Sequence, residues 1–349
     1  MAMQASLVEC VPNFSEGNDK VVIEQITRPV RDAPGVSLLD VDMGADFNRT
    51  VVTMVGEPEE VLNTVIECTR VAVELIDMRG HTGEHARMGA VDVVPFIPIK
   101  GVSMDDCVKL SERYANTVSK ELDLPIFLYA EAARMPQRIK LPDIRRGEYE
   151  GLEEKISSPD WIPDYGPAEF KPKMGATATG ARPILIAYNV NLDTNDKSKA
   201  NSIASKIRTS GSIVKDENGE KIIGNDGKPL RKPGIFQSLQ AAGWMYDEST
   251  AQVSMNLLDY SETGLHDVTE AIRREAEMIG LNVTAGELVG LVPLYAMLAA
   301  GQYYQGDVVA YDENSLVEQA ISGLMLDKLS DFEPQSCIIE WAISEEMKA

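Results

Sequence analysis

The chain has 349 residues, 44% apolar and 25% charged, which suits a folded protein of two domains and excludes a disordered one. Asp and Glu outnumber Lys and Arg by 55 to 33, and the formal charge of −22 repels phosphate backbones and anionic membranes, which argues against nucleic-acid and membrane partners. Four scattered cysteines (Cys10, Cys68, Cys107, Cys337), no apolar run near the roughly 20 residues of a membrane span, and a start, MAMQASLVEC, unlike a signal peptide set the expectation of a reduced, cytoplasmic setting.

Leu7 to Val11 reads as a short strand and residues 19 to 32 as a helix, with Pro29 opposing its end. Val36 to Asp42 and Arg49 to Val55 are strands. The helix over 58 to 77 is the clearest. Pro58 suits its first turn, Glu59 and Glu60 complement its dipole, and Val61, Leu62, Val65, Ile66, Ala72, Leu75 and Ile76 share one face. Val91 to Ile97 is a strand, Ser103 and Asp106 open a helix to Leu122, and Pro125 to Tyr129 is a further strand. Pro183 to Asn191 begins the second half as a strand, followed by a helix over 195 to 209. The stretch 211 to 234 is rich in Gly, Lys and Asp and reads as an exposed loop or hairpin. Gln237 to Tyr246 and Ala251 to Tyr260 pair as strands, Leu265 to Ile279 is a helix, and Leu281 to Ala285 is a strand. Helices over 293 to 304 and 315 to 329 close the pattern.

Each half therefore carries the order β-α-β-β-α-β. The expected fold is α/β (α+β): two tandem ferredoxin-like βαββαβ subdomains with mixed sheets and helices packed on one face. The boundaries expected are 1–182 and 183–330, with a C-terminal extension over 331–349. Gly166 to Arg182 (GPAEFKPKMGATATGAR) lies between the halves. Its Gly, Pro and Thr content favours an interdomain linker, and a backbone-lined wall of a ligand cleft is the alternative.

Histidine occurs only at positions 81, 85 and 266, and two of these fall in GHTGEHARMG, Gly80 to Gly89. Imidazole gives and takes protons near neutral pH, so this glycine-framed loop is the reactive candidate, against the plainer reading of two idle loop histidines. HTGEH also fits the H-x-x-E-H pattern of some zinc peptidases. That pattern needs a helix to stack its histidines; Gly80, Gly83 and Gly89 oppose one, no further ligand presents itself, and no metal is expected. His266 reads as a cap or a half-exposed histidine at a helix start. Asn13, Ser15, Glu16, Gly17, Asp40, Asp42, Asn48 and Arg49 stand at strand ends, where polar groups converge, although each also suits turn chemistry.

VECVPNFSEG (8–17), LLDVDMGADFNRTV (38–51), IDMRGHTGEHARMGAVDVVPFIPIKGVSMDDCV (76–108), LYAEAARM (128–135), DWIPDYGP (160–167), GATATGAR (175–182) and NLLDY (256–260) together resemble the glutamate formimidoyltransferase family, from about residue 7 to residue 342. The resemblance implies transfer of a formimidoyl group from N-formimidoyl-L-glutamate to N5 of tetrahydrofolate, the co-substrate, without a metal. It also implies a homodimer, with a folate cleft between two subdomains. The family's catalytic histidine is that of GEH-x-RMGA, His85 here. Its folate-contacting segment falls on Gly166, Pro167, Ala168, Glu169, Phe170, Lys171, Pro172, Lys173, Met174 and Gly175. Met174 departs from the family pattern, because animal members carry Trp there. Animal members are also fused to a cyclodeaminase. The sequence ends at Ala349, so a stand-alone form served by a separate cyclodeaminase is the expectation.

That chemistry suits the residues. One imidazole can act first as general base toward N5 and then as general acid toward the departing glutamate nitrogen. Asp42 is the candidate to orient His85 or to hold the amidine. Arg49 and Arg87, then Arg182 and Asn13, are candidates for the substrate carboxylates, and Lys171 and Lys173 for the folate tail. The alternatives are another donor, N-formylglutamate or formimidoylglycine, and a folate-binding protein without catalysis.

Overall fold

A computed structural model describes residues 6–224, 227–306 and 312–346, with side chains as far as 343. Residues 347–349 of the expected extension and 225–226 of the expected loop lie outside the described residues. The chain divides into two compact units, the first ending at Pro183 and the second starting at Ile184.

The first unit runs β1 (Leu7–Cys10), β2 (Asn13–Phe14), α1 (Lys20–Asp32), β3 (Val36–Gly44), β4 (Arg49–Gly56), α2 (Pro58–Leu75), β5 (Val91–Lys100), α3 (Met104–Leu122), β6 (Ile126–Ala130), α4 (Leu141–Arg145), α5 (Leu152–Ser157) and β7 (Thr177–Ala181). Caps set the helix starts: Asp19 accepts from Val21 and Val22 N–H ahead of α1, and Ser103 and Asp106 form a capping box on α3. Pro29 is accommodated because it falls in the last turn of α1. β1 and β2 together occupy one strand position between β4 and β5, so the first four positions read β3-β4-β1/β2-β5, antiparallel throughout. This is the ferredoxin-like order. β7 and then β6 extend it as parallel strands beyond β5.

Helices α1 to α3 bury one sheet face around Phe14, Val52, Met54, Val65, Phe96 and Tyr114. The other face departs from the expected one-sided packing. β6 alternates, sending Ile126 and Leu128 to the helical core and Phe127 and Tyr129 to the opposite side. There they meet Ile144 of α4 and Leu152 and Ile156 of α5, with Met88 and Val93. The linker reading of Gly166 to Arg182 is also corrected. Thr177 to Ala181 is β7, wholly buried between β5 and β6, and its hydroxyls bond back across the sheet: Thr177 Oγ1 to Val91 O at 2.6 Å and Thr179 Oγ1 to Val94 O at 2.7 Å. Small residues make a strand here because both neighbours crowd it.

Two bulges re-aim this sheet. Leu38 pairs with Met54 and Asp40 with Thr53, which leaves Leu39 extra in β3. Leu38, Val41 and Met43 can then all pack on the helical core, while Asp40 and Asp42 turn to the opposite face. Phe14 pairs with Val91 and Asn13 with Val93, so Asp92 is the extra residue of β5.

The second unit runs β8 (Ile186–Leu192), α6 (Lys197–Ile207), β9 (Ser212–Ile213), β10 (Arg231–Lys232), β11 (Leu239–Met245), β12 (Ala251–Leu257), α7 (Leu265–Glu277), β13 (Val283–Val289), α8 (Leu294–Gln305), α9 (Glu313–Leu324), α10 (Pro334–Cys337) and α11 (Ile339–Glu346). Its sheet order, β11-β12-β8-β13, is again ferredoxin-like and fully antiparallel. Tyr188, Val190, Val253 and Met255 face Ile203 and Ile207 of α6 and Val268 and Ile272 of α7 in a separate core. The expected loop over 211 to 234 contains the β9–β10 pair. The expected strand from Leu281 starts at Val283 and extends to Val289. The expected helix to 329 stops at Leu324, where Met325 takes a left-handed conformation (φ 58°).

Candidate active site

Residues 81–85 form no helix; they make an irregular loop between α2 and β5. Its partner is the turn between β3 and β4. Asn48, at φ 47°, holds both sides: its Nδ2 donates to Thr82 O at 2.8 Å, and its Oδ1 accepts from Gly17 N–H at 3.0 Å. Glu84 N–H reaches Asp46 O at 3.2 Å. The backbones approach so closely that a Cβ on Gly83 would lie 2.4 Å from Phe47 O. At the far end, a Cβ on Gly89 would stand 2.5 Å from the carbonyls of Met174 and Ala176. These two glycines are what the packing of the loop requires.

The two loop histidines separate by their partners. His81 Nε2 donates to Asn48 O at 2.9 Å and its Nδ1 accepts from Arg87 Nε at 3.3 Å, so both ring nitrogens are engaged. The helical geometry that a zinc site of the H-x-x-E-H type needs is absent. His85 Nδ1 is buried and has no hydrogen-bond partner of normal geometry among the described residues. Burial, and then the charges of Arg49 and Arg145, push its imidazole down to about 3.

Arg49 opens β4 on the sheet face opposite the helices, opposite Gly44 of β3. Burial and the charge of Arg145 lower its guanidinium from the usual value, and Asp42 and Asp92 pull it back up. Its Nε is buried and has no hydrogen-bond partner among the described residues. Asp42, exposed, lies in one cross-strand row with Val51 and Asn13, so Asp42, Arg49 and Asn13 share this face. Burial, then the charge of Asp42, raises the neighbouring Asp40 carboxyl.

Asp92 and Arg145 are functional candidates that sequence reasoning missed. Asp92 is 1% exposed; its Oδ1 accepts Met88 N–H at 2.9 Å and its Oδ2 accepts Arg145 Nε at 3.0 Å. One carboxylate therefore pins the end of the histidine loop and holds a guanidinium beside His85. The available signal was an aspartate inside the apolar run VDVVPFIPIK; Arg145 offered none.

Arg87, expected to meet a substrate carboxylate, is already occupied. Its Nη1 bonds Glu148 at 2.9 Å and Glu150 at 2.8 Å, its Nη2 bonds Glu150 at 2.5 Å, and its side chain is 7% exposed. Arg182 donates to Pro183 O at 3.0 Å, and burial raises the nearby Tyr129 hydroxyl while the charges of Arg182 and Arg145 act to lower it. The two lysines of Gly166 to Gly175 are likewise committed: Lys171 to Asp123 (2.5 Å) and Glu169 (3.2 Å), Lys173 to the carbonyl of Glu74 (2.7 Å). His266 sits in the second unit at the start of α7, stacked on Tyr303 at 4.8 Å.

The segment Gly166 to Gly175 is stitched to both ends of the histidine loop. Met78 N–H bonds Lys173 O and Ala90 N–H bonds Met174 O, each at 2.9 Å, and Ala176 N–H returns to Met88 O at 3.1 Å. Phe170 packs against Tyr149 at 5.5 Å between ring centroids, and the Tyr149 hydroxyl donates to Pro172 O. The stretch leading into it is anchored by a buried ion pair, Arg138 to Asp164 at 2.6 Å.

Comparison with known proteins covers both units. The formiminotransferase domain, N-terminal subdomain, matches residues 7–182, and the formiminotransferase domain matches residues 187–344. The chain is 46% identical, over 98% of its length, to the formimidoyltransferase-cyclodeaminase of Rattus norvegicus, of which it spans 60%. It is 40% identical over 86% of its length to the glutamate formimidoyltransferase of Streptococcus pyogenes serotype M1, and 38% identical over 90% to that of Thermoplasma acidophilum. It spans 93% and 97% of those proteins.

Proposed function

The chain belongs to the formiminotransferase family, and from that premise we propose that it transfers the formimidoyl group of N-formimidoyl-L-glutamate to N5 of tetrahydrofolate, releasing L-glutamate. One observation in this chain carries the reading. Of three histidines, His81 has both ring nitrogens bonded, to Asn48 and Arg87, His266 stands in the second unit stacked on Tyr303, and His85 is the one held beside the guanidiniums of Arg49 and Arg145 with its Nδ1 unpartnered among the described residues.

In this mechanism His85 is unprotonated at neutral pH, because burial and two neighbouring cations hold its imidazole down to about 3. Nε2 takes the proton that N5 sheds as the new C–N bond forms. It then delivers that proton to the glutamate nitrogen as the old C–N bond breaks, so atoms and charge balance without a covalent enzyme intermediate. Arg49 binds a donor carboxylate with its fork of N–H groups, and Asp42 holds the amidine. The backbone of Gly166 to Gly175 keeps folate next to the histidine loop, and holding both partners in register lowers the entropic part of the barrier.

The test is a donor comparison with purified protein and tetrahydrofolate. Formimidoylglutamate is expected to react in preference to N-formylglutamate and formimidoylglycine, and His85→Ala to lower kcat by roughly 10² or more. Unchanged turnover in His85→Ala, or folate binding without transfer from any donor, overturns the proposal.

A further inference from the structure

The histidine loop is tied to one short segment of the first unit, Arg145 to Glu150, by two bridges. At one, Arg87 of the loop donates to Glu148 at 2.9 Å and to Glu150 at 2.8 Å. At the other, Asp92 accepts Met88 N–H at 2.9 Å through Oδ1 and Arg145 Nε at 3.0 Å through Oδ2. Adjacent loop residues, Arg87 and Met88, are thus fixed to opposite ends of the segment. The segment supplies the carboxylates at one bridge and the cation at the other, so a shift of the loop along it would break both.

The local backbone is built around these bridges. Val91 packs on the helical core and Val93 on the opposite face, which strict alternation forbids. The bulge at Asp92 makes the switch, on the side where α4 lies. Gly147 (φ 89°) and Glu148 (φ 53°) are both left-handed and turn the chain between the bridges. Glycine takes that conformation freely; a glutamate holds it where contacts outweigh the strain, and here its carboxylate lies on Arg87. Lys155 braces the turn, its Nζ donating to the carbonyls of Ile144, of Asp143 at 3.2 Å and of Arg146 at 3.0 Å. Between loop and segment lies a cleft of about 460 Å³ lined by Thr82, Gly83, Arg87, Gly147, Glu148 and Glu150. Ion pairs rather than apolar packing therefore hold this side of the loop. The bridges differ in depth. Glu148 and Glu150 side chains are 43% and 64% exposed, against 1% for Asp92 and 15% for Arg145. Exposed carboxylates contribute little to an ion pair, whereas a buried pair is costly to break, so the inner bridge is the decisive one.

We propose that Arg145 to Glu150 clamps the histidine loop, and that Asp92 and Arg145 are positioning residues for the transfer, acting through Met88 and His85 rather than on substrate. The inference rests on the proposed function. Pinning Met88 limits how far the nearby His85 ring can move. After burial, the charges of Arg49 on β4, Arg145 on α4 and Arg87 in the loop keep that ring unprotonated, and the one that Asp92 holds in place is Arg145. Asp92 divides the two tasks between its two oxygens.

A single substitution in the inner pair leaves one buried charge alone and lowers stability whatever else the pair does. The test is therefore the double variant Asp92→Asn/Arg145→Gln, which removes both charges and keeps an acceptor for Met88 N–H. Tm, kcat, KM for both substrates and the NMR titration of the His85 ring are measured where the variant is folded. Tm is expected to fall less than in either single variant. The kcat should fall about tenfold with both KM values within about twofold of wild type, and His85 should titrate at higher pH than in wild type. A wild-type kcat, or an unmoved His85 titration, makes the pair a structural ion pair only and overturns the inference. A change confined to KM overturns it as well, since Arg145 would then be a substrate contact. Should the double variant fail to fold, Asp92→Glu keeps both charges and lengthens the link to Met88 by one methylene, and unchanged kcat there overturns the inference. Wild-type protein that transfers nothing refutes the proposed function instead, and the titration, which needs no substrate, still tests the clamp.

Discussion

After burial itself, the charge of Arg49 is the largest influence holding the His85 imidazole down. Its consequence for stability has a definite sign. The unfolded chain takes up this proton near the ordinary 6.5 and the folded one near 3, so the contribution is fully present above 6.5 and is lost as pH falls toward 3. Arg49→Met is expected to raise the His85 pKa, read by NMR titration of the ring against a His85→Gln reference, and to narrow that acid-sensitive window. An unmoved titration in Arg49→Met sinks the electrostatic account. A substrate carboxylate on Arg49 acts in the same direction, so the acid limb of kcat should lie at higher pH than that of kcat/KM. Much of this centre was legible in residue types: scarce histidine, a glycine-framed loop, and Arg49 and Asp42 at strand ends. The pairing of Arg87 was not legible, because nothing near it in sequence announces that Glu148 and Glu150, some 60 residues on, hold its guanidinium.

At the scale of elements, the site depends on two backbone irregularities that periodicity does not show. Strict alternation places Leu38, Asp40 and Asp42 on one face, and the bulge at Leu39 sends Leu38 to the core and both aspartates away from it. The loop of His85 is held by close backbone approach to the β3–β4 turn, which gives a direct prediction. Gly83→Ala sets a Cβ against Phe47 O, with an expected cost of about 1–3 kcal/mol. Because only the loop and the turn need shift, kcat should fall more than Tm does. A variant with full activity and lowered Tm would show that the loop position does not matter to the chemistry. The β7 strand was hidden for a related reason. Its Thr, Ala and Gly composition resembles a linker, and only neighbours on both sides give small residues a strand's hydrogen bonds.

For the whole molecule, the two units have separate apolar cores, one around Phe14, Phe96 and Tyr114 and one around Tyr188, Val253 and Ile272. Each is large enough to fold cooperatively. Calorimetry is therefore expected to give a van't Hoff enthalpy smaller than the calorimetric one, as for two transitions. A single two-state transition would mean that the units unfold together.

By itself the sequence determined the two βαββαβ orders and the cap of α3, and it singled out the histidine loop as the candidate site, because these rest on local periodicity, capping chemistry and residue scarcity. Tertiary structure alone decided that Asp92 and Arg145 join His85, that Arg87 is spent on glutamates, and that Gly166 to Gly175 is sewn to both ends of the loop. The physical reason is that bulges, ion pairs and backbone stitching join residues distant in sequence, and each residue's role is set by the partner it finds.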